Sequence, residues 1–65
     1  MLVTINGEPT DLDDVKTVAG LIELLDIEGR IAVEVNREIV PRSQFKQFTI
    51  NDGDIIEIVH AIGGG

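Results

Sequence analysis

The sequence predicts a two-layer α+β domain, with one helix packed on a mixed, mostly antiparallel sheet of four to five strands. Three observations predict it. Two alternating β-branched runs each lead into a turn dipeptide, Asn6-Gly7 and Asn36-Arg37. A single apolar stripe of helical period lies between the two hairpins. A last alternating run, Ile55-Ile56-Glu57-Ile58-Val59, comes after them. The order is hairpin, helix, hairpin, strand.

The first strand runs from Leu2 to Ile5, with Val3 and Ile5 on one face and Thr4 on the other. Asn6-Gly7 calls for a type I′ turn, which needs positive φ at both central residues. A return strand is expected from about Glu8 to Leu12, and Pro9, lacking an N–H donor, places it at an edge. Asp11 to Asp14 is acidic and loop-like. Thr17 reads as an N-cap for a helix whose stripe is Val18, Leu21, Ile22 and Leu25, widened by Leu24. From Thr17 to Leu25 that helix is about 13 Å long, enough to cross a small sheet once. Gly20 inside it is either tolerated, at roughly 1 kcal/mol relative to Ala, or required by close packing. Asp26 and Gly29 both qualify for the left-handed exit.

Ile31 to Val35 alternates again, with Ile31, Val33 and Val35 on one face and Ala32 and Glu34 on the other. Asn36-Arg37 turns the chain into Glu38-Ile39-Val40, which Pro41 stops. Arg42 to Gln47 reads as a loop or one helical turn, with Phe45 and Phe48 plugging an end of the core. Thr49-Ile50 is a minimal strand, Asn51-Asp52-Gly53-Asp54 a turn cluster. The last strand covers Ile55 to Val59 with Ile56 and Ile58 facing inward, leaving His60 one residue beyond it.

A chain of 65 residues makes one domain. At this size folding removes only about 60% of the unfolded chain's exposed surface, so stability is modest. With no cysteine, neither a disulfide nor a thiolate metal site can staple it. The apolar 43% must suffice, and since both aromatics are Phe, the core is aliphatic. Twelve acidic residues against five basic ones give a net charge of −7. That balance disfavours nucleic acid and anionic membranes, both of which need Lys and Arg. It suits either a basic partner protein or simple solubility. No basic leader with a long apolar stretch precedes Leu2, and no run reaches membrane-spanning length, so a cytoplasmic protein is expected.

The catalytic inventory is nearly empty. Ser43 is the only serine and His60 the only histidine, which leaves no Cys–His pair and no convincing Ser–His–Asp set. His60 reads as an exposed residue at the strand end rather than a proton shuttle. Asp11, Asp13 and Asp14 lack the glycine and distal glutamate of a calcium loop. Two features remain. One is the run Gly63-Gly64-Gly65, which is either a linker-like end or a thin backbone presenting a terminal carboxylate. The other is the sheet face away from the helix, where Leu2, Ala32, Ile55 and Val59 point if Val3, Val33, Ile56 and Ile58 point inward. Such a face is either a docking surface or ordinary scattered exposure.

Several motifs in this order resemble a known family. They are Asn6-Gly7-Glu8, Val35-Asn36 followed by Ile39-Val40-Pro41-Arg42-Ser43, Asp52-Gly53-Asp54 before Ile56-Glu57-Ile58-Val59, and the three closing glycines. Together they resemble the sulfur carriers of thiamine biosynthesis, the ThiS family, across essentially the whole chain. The resemblance implies the ubiquitin-like β-grasp fold over residues 1–62, with residues 63–65 as a flexible tail. It implies that the Gly65 carboxylate is the site, adenylated and converted to a thiocarboxylate, while Gly63 and Gly64 thread a partner's active site. It implies three partners: an E1-like, ThiF-like activating enzyme using ATP and Mg²⁺, a cysteine-derived persulfide donor, and a ThiG-like thiazole synthase. The chain itself would bind no cofactor or metal, would be no enzyme, and would be a monomer when free. Arg42, beside Pro41, is the candidate polar contact in docking. Departures from the family pattern are Leu2 where a charge is common, Gly20 in a helix usually richer in Ala, and Phe45 after the Pro-Arg-Ser segment. Carriers for molybdopterin or tRNA thiolation, and a plain β-grasp interaction module, are the alternatives.

Overall fold

The computed structural model describes residues 1–60. The strands are β1 (Leu2–Ile5), β2 (Glu8–Asp11), β3 (Ile31–Val35), β4 (Glu38–Val40) and β5 (Ile55–His60), with one helix, α1 (Val18–Leu24), and a 3₁₀ turn over Arg42–Gln44. They form one five-stranded sheet in the order β2-β1-β5-β3-β4. All neighbours are antiparallel except β1 and β5, which run parallel. The last strand in sequence is therefore the central one in space, and Pro9 lies on an edge strand as its missing donor requires.

Both hairpin turns have positive φ at their two central residues: 49° and 84° at Asn6 and Gly7, 52° and 70° at Asn36 and Arg37. This is the type I′ signature, whose twist matches that of the strands. The second turn places a side-chain-bearing arginine where glycine is preferred. Arg37→Gly should therefore stabilise the domain by about 1 kcal/mol, read as a rise in the thermal midpoint of several degrees.

Helix α1 is capped at both ends. The first three helical amides find acceptors: Val18 N–H on the Phe48 carbonyl (3.0 Å), Ala19 N–H on that of Phe45 (2.8 Å), and Gly20 N–H on Thr17 Oγ1 (3.1 Å). These would otherwise be orphan donors, and the pairing fastens the 45–48 segment to the helix start. At the other end Asp26, with φ of 55°, takes the left-handed position. Its N–H donates to the Glu23 carbonyl (3.1 Å) and that of Ile27 to Ile22 (3.2 Å), which is a Schellman motif. Gly29, also at positive φ, belongs to the following loop. A Cβ built on Gly20 would meet nothing nearer than Thr17 Oγ1 at 3.5 Å, so packing does not require the glycine.

The core is a single layer between α1 and one sheet face. Leu21, Ile56, Val3, Val18 and Val33 are fully buried in it, joined by Leu12, Val35, Val40, Ile50 and Ile58. Ile22, Phe45 and Phe48 pack against it while partly exposed. The helix stripe is narrower than its sequence spacing predicts. Leu24, the last helical residue, is exposed because it lies roughly 120° round the helix from Val18, and Leu25 sits at the C-cap, where α1 ends. Thr49 forms a single antiparallel bridge with Thr17 rather than a strand with Ile50. Strand β2 ends at Asp11, although Leu12 still donates to the Met1 carbonyl (2.7 Å). No helix among the described residues is long and apolar enough to cross a membrane.

Candidate functional site

Strand β5 is the last element among the described residues. It is paired with β3 over five of its residues, from Val35↔Ile56 to Ile31↔His60, and with β1 only at Ile55 and Ile56. His60 is thus the last residue of the strand, not the first beyond it. Its Nε2 lies 3.2 Å from the Glu28 carbonyl, and since a carbonyl only accepts, that nitrogen donates. This contact ties the strand's exit to the loop before β3.

The entry to β5 is fixed by a buried carboxylate. Asp54 accepts from Asn36 Nδ2 (2.9 Å) through one oxygen and from the Asn51 N–H (2.8 Å) through the other. Asn36 also accepts from the Ile55 N–H (2.9 Å). No buried side-chain nitrogen or oxygen among the described residues lacks a partner, so these polar groups cost little on burial. Asp52 adds an acceptor for the Leu2 N–H at 2.7 Å. The Asn51-Asp52-Gly53-Asp54 cluster thus works as a turn that pins β1 and β3 to the central strand.

Alternation along the strands decides the outer face. Leu2, Ala32, Ile55 and Val59 all point away from the helix and are exposed. Ala32 lies directly opposite Val59, while Ile55 pairs with Thr4 of β1. Ile39, 71% exposed, belongs to this face too, and the two-residue turn with Glu34 outward already required that register. Between the apolar residues, Glu34 stands directly opposite Glu57, a like-charge pair that is unfavourable on its own. A shallow hollow of about 390 Å³ over this pair is lined by Glu34, Glu57, Asn36, Arg37 and Ile55. Arg42 is elsewhere. It lines, with Ala19, Ile22, Ser43, Phe45 and Lys46, a cleft of about 440 Å³ between α1 and the 3₁₀ turn, on the helix side of the sheet. The structure therefore puts Leu2, Ala32, Ile55 and Val59 on one face, with Ala32 and Val59 separated from Ile55 and Leu2 by the Glu34–Glu57 pair, and leaves Arg42 on the other side of the sheet. Gly63, Gly64 and Gly65 lie outside the described residues.

The ThiS family model matches residues 3–65. The chain belongs to the ThiS family. Among relatives, the sulfur carrier protein ThiS of Escherichia coli is 35% identical over 66 residues, covering both chains completely. A thiazole synthase of Paramagnetospirillum magneticum is 47% identical over 66 residues, covering all of this chain and 20% of that protein. The chain thus spans a fifth of the length of that relative, and the same share of the thiazole synthase of Magnetococcus marinus. The crystal structure of the thiamine biosynthesis protein ThiS from Geobacter metallireducens superimposes with a TM-score of 0.88 at 33% identity, each chain covered completely. The β-grasp architecture with its central C-terminal strand is accordingly that of a ThiS sulfur carrier.

Proposed function

We propose that this chain carries sulfur for the thiazole moiety of thiamine on the carboxylate of Gly65. The observation that carries the reading is the family match, which runs through the glycine end rather than stopping at the folded domain. A carboxylate is a poor electrophile until it holds a good leaving group. Attack of its oxygen on the α-phosphorus of ATP, in a ThiF-like activating enzyme with Mg²⁺, releases pyrophosphate and leaves an acyl adenylate. The outer sulfur of a cysteine-derived persulfide then displaces AMP to give an acyl disulfide. A second thiol, which ends in a disulfide with the donor cysteine, cleaves its S–S bond to release the thiocarboxylate that a ThiG-like thiazole synthase consumes. The carrier needs no acid, base or nucleophile of its own, and the thin Gly63-Gly64 backbone suits passage through a narrow channel. Thiazole synthases that contain a region similar to this whole chain support that enzyme as the consumer. The exposed apolar residues Leu2, Ala32, Ile55 and Val59 offer a docking face, and the Glu34–Glu57 pair with the net charge of −7 favours a partner that brings a cation to it. The protein acts as a cytoplasmic carrier, not as a catalyst.

The test is an intact-mass measurement after incubation with ATP, a ThiF-type enzyme, a persulfide donor and a thiol reductant. A gain equal to exchanging one oxygen for sulfur, located at Gly65 by fragmentation, is expected. An unchanged mass, with no AMP adduct on the way, overturns the reading. The outer face favours one second reading, an interaction module whose glycines are irrelevant. It predicts partner binding that survives removal of residues 63–65 with no loss of any downstream function.

A further inference from the structure

Asn6 closes the first hairpin at positive φ, a role that its turn position explains. Its side chain does something a turn does not need. The amide reaches across to β5, fifty-two positions along the chain, and takes both main-chain groups of Ile58. Oδ1 accepts from the Ile58 N–H at 2.8 Å and Nδ2 donates to the Ile58 carbonyl at 3.0 Å. The Asn6 main-chain N–H adds a bond to the Ile56 carbonyl at 2.9 Å.

These bonds continue the β1–β5 ladder after β1 itself has stopped. Strand β1 ends at Ile5, paired with Ile56, and the chain then turns away into β2. Successive residues of a strand direct their main-chain groups to alternate edges. Ile56 and Ile58 direct theirs toward β1, whereas Glu57 and Val59 direct theirs toward β3. Without a side chain standing in for the missing β1 residue, Ile58 would keep its neighbour on one edge only. Asn36 does the corresponding work at the other end, binding the Ile55 N–H and Asp54. An asparagine from each hairpin turn therefore grips the central strand, one at its entry and one near its exit.

We infer that Asn6 is a positioning residue for the carrier end: its amide clamp on Ile58 holds the β1-side edge of the central strand past the end of β1, two residues before the strand's last residue, His60. The inference rests on the carrier reading, since the clamp matters functionally only if the chain's end must reach a partner's reacting centre. Were β5 to fray from Ile58 onward, each added free residue would have to be ordered again on entry. Catalysis is sensitive to such looseness, because small misplacements of a reacting group cost large factors in rate. The clamp lies between β1 and β5 and leaves Leu2, Ala32, Ile55 and Val59 untouched, so docking and positioning should separate.

The experiment is ATP–pyrophosphate exchange by a ThiF-type activating enzyme, with carrier concentration varied, for the wild type, Asn6→Gly and Asn6→Asp. Glycine accepts the positive φ and keeps the turn while deleting both side-chain bonds. For Asn6→Gly, kcat should fall by about tenfold or more, while KM for the carrier stays within about twofold and hydrogen exchange at the Ile58 amide accelerates. Asn6→Asp, which keeps the acceptor for that amide and tolerates the turn, should fall between the two. A kcat equal to wild type in an Asn6→Gly protein with a fast-exchanging Ile58 amide overturns the inference alone. So does a change confined to KM. Absence of exchange activity with the wild-type carrier overturns the carrier reading and the inference with it.

Discussion

Ile56→Ala should cost about 2–5 kcal/mol of folding stability, the range for emptying a buried isoleucine site. Ile56 is fully buried near the start of the central strand, level with Ile5 of β1 on one side and Val35 of β3 on the other. Its removal opens a cavity where the two halves of the sheet meet, and neighbouring strands cannot move in without breaking register. A domain of this length has on the order of 3–10 kcal/mol in total. The variant should therefore melt more than about 10 °C below wild type, with a population already unfolded at physiological temperature. Urea unfolding followed by circular dichroism measures it. Ile39→Ala is the matched control: the same residue type in the same sheet, but exposed on the outer face, and expected within about 0.5 kcal/mol of wild type. Equal losses for the two would mean that the core is not where burial places it.

That contrast between Ile56 and Ile39 also marks how far the fold was legible in the sequence. The strict alternation of Val3, Val33, Val35, Ile56 and Ile58 has only one inward solution, and the Asn6-Gly7 turn admits little but a two-residue hairpin. The helix boundaries were less legible. Asp26 and Gly29 both sit at positive φ, and only the bonds from Asp26 and Ile27 back to Glu23 and Ile22 decide which ends α1. Leu24 and Leu25 fit an apolar stripe as well as Val18 does, yet one closes α1 and the other caps it, both outside the core. Propensity cannot see that limit, because tertiary packing imposes it.

The site was legible in part, for a different reason. The face carrying Leu2, Ala32, Ile55 and Val59 comes from strand alternation, which is local. Arg42 could be placed only by knowing that the 3₁₀ turn folds under α1, and that depends on the Ala19–Phe45 and Val18–Phe48 bonds. The Glu34–Glu57 opposition and the Asn6 clamp depend on inter-strand register across long sequence separations. In the sequence Asn6 announces a turn, and a turn fully accounts for it. Only the distance to Ile58 reveals the second task.

Removing Gly65 should leave the fold intact and abolish sulfur loading. The core and the strand pairing of the described residues lie within 1–60, and the truncated protein should melt within about 0.5 kcal/mol of wild type. What changes is the location of the carboxylate, which retreats by one residue, about 3.5 Å. An adenylation site requires the attacking oxygen within roughly 3–3.5 Å of phosphorus and correctly aligned, and a misplacement of even 1 Å costs on the order of 100-fold. Thiocarboxylate formation should therefore fall at least about 100-fold, read by intact mass over a time course. Val59→Asp supplies the opposite signature. It puts a further charge on an exposed outer-face position beside Ala32, so it should raise KM for the activating enzyme several-fold and leave kcat nearly unchanged. If the truncated carrier were loaded at the wild-type rate, the carboxylate of Gly65 would not be the reacting group, however well the domain bound. If Val59→Asp instead lowered kcat with no change in KM, the outer face would not be the docking surface. The pair thus separates holding the partner from reaching it, the two tasks that the proposed carrier role assigns to the central strand.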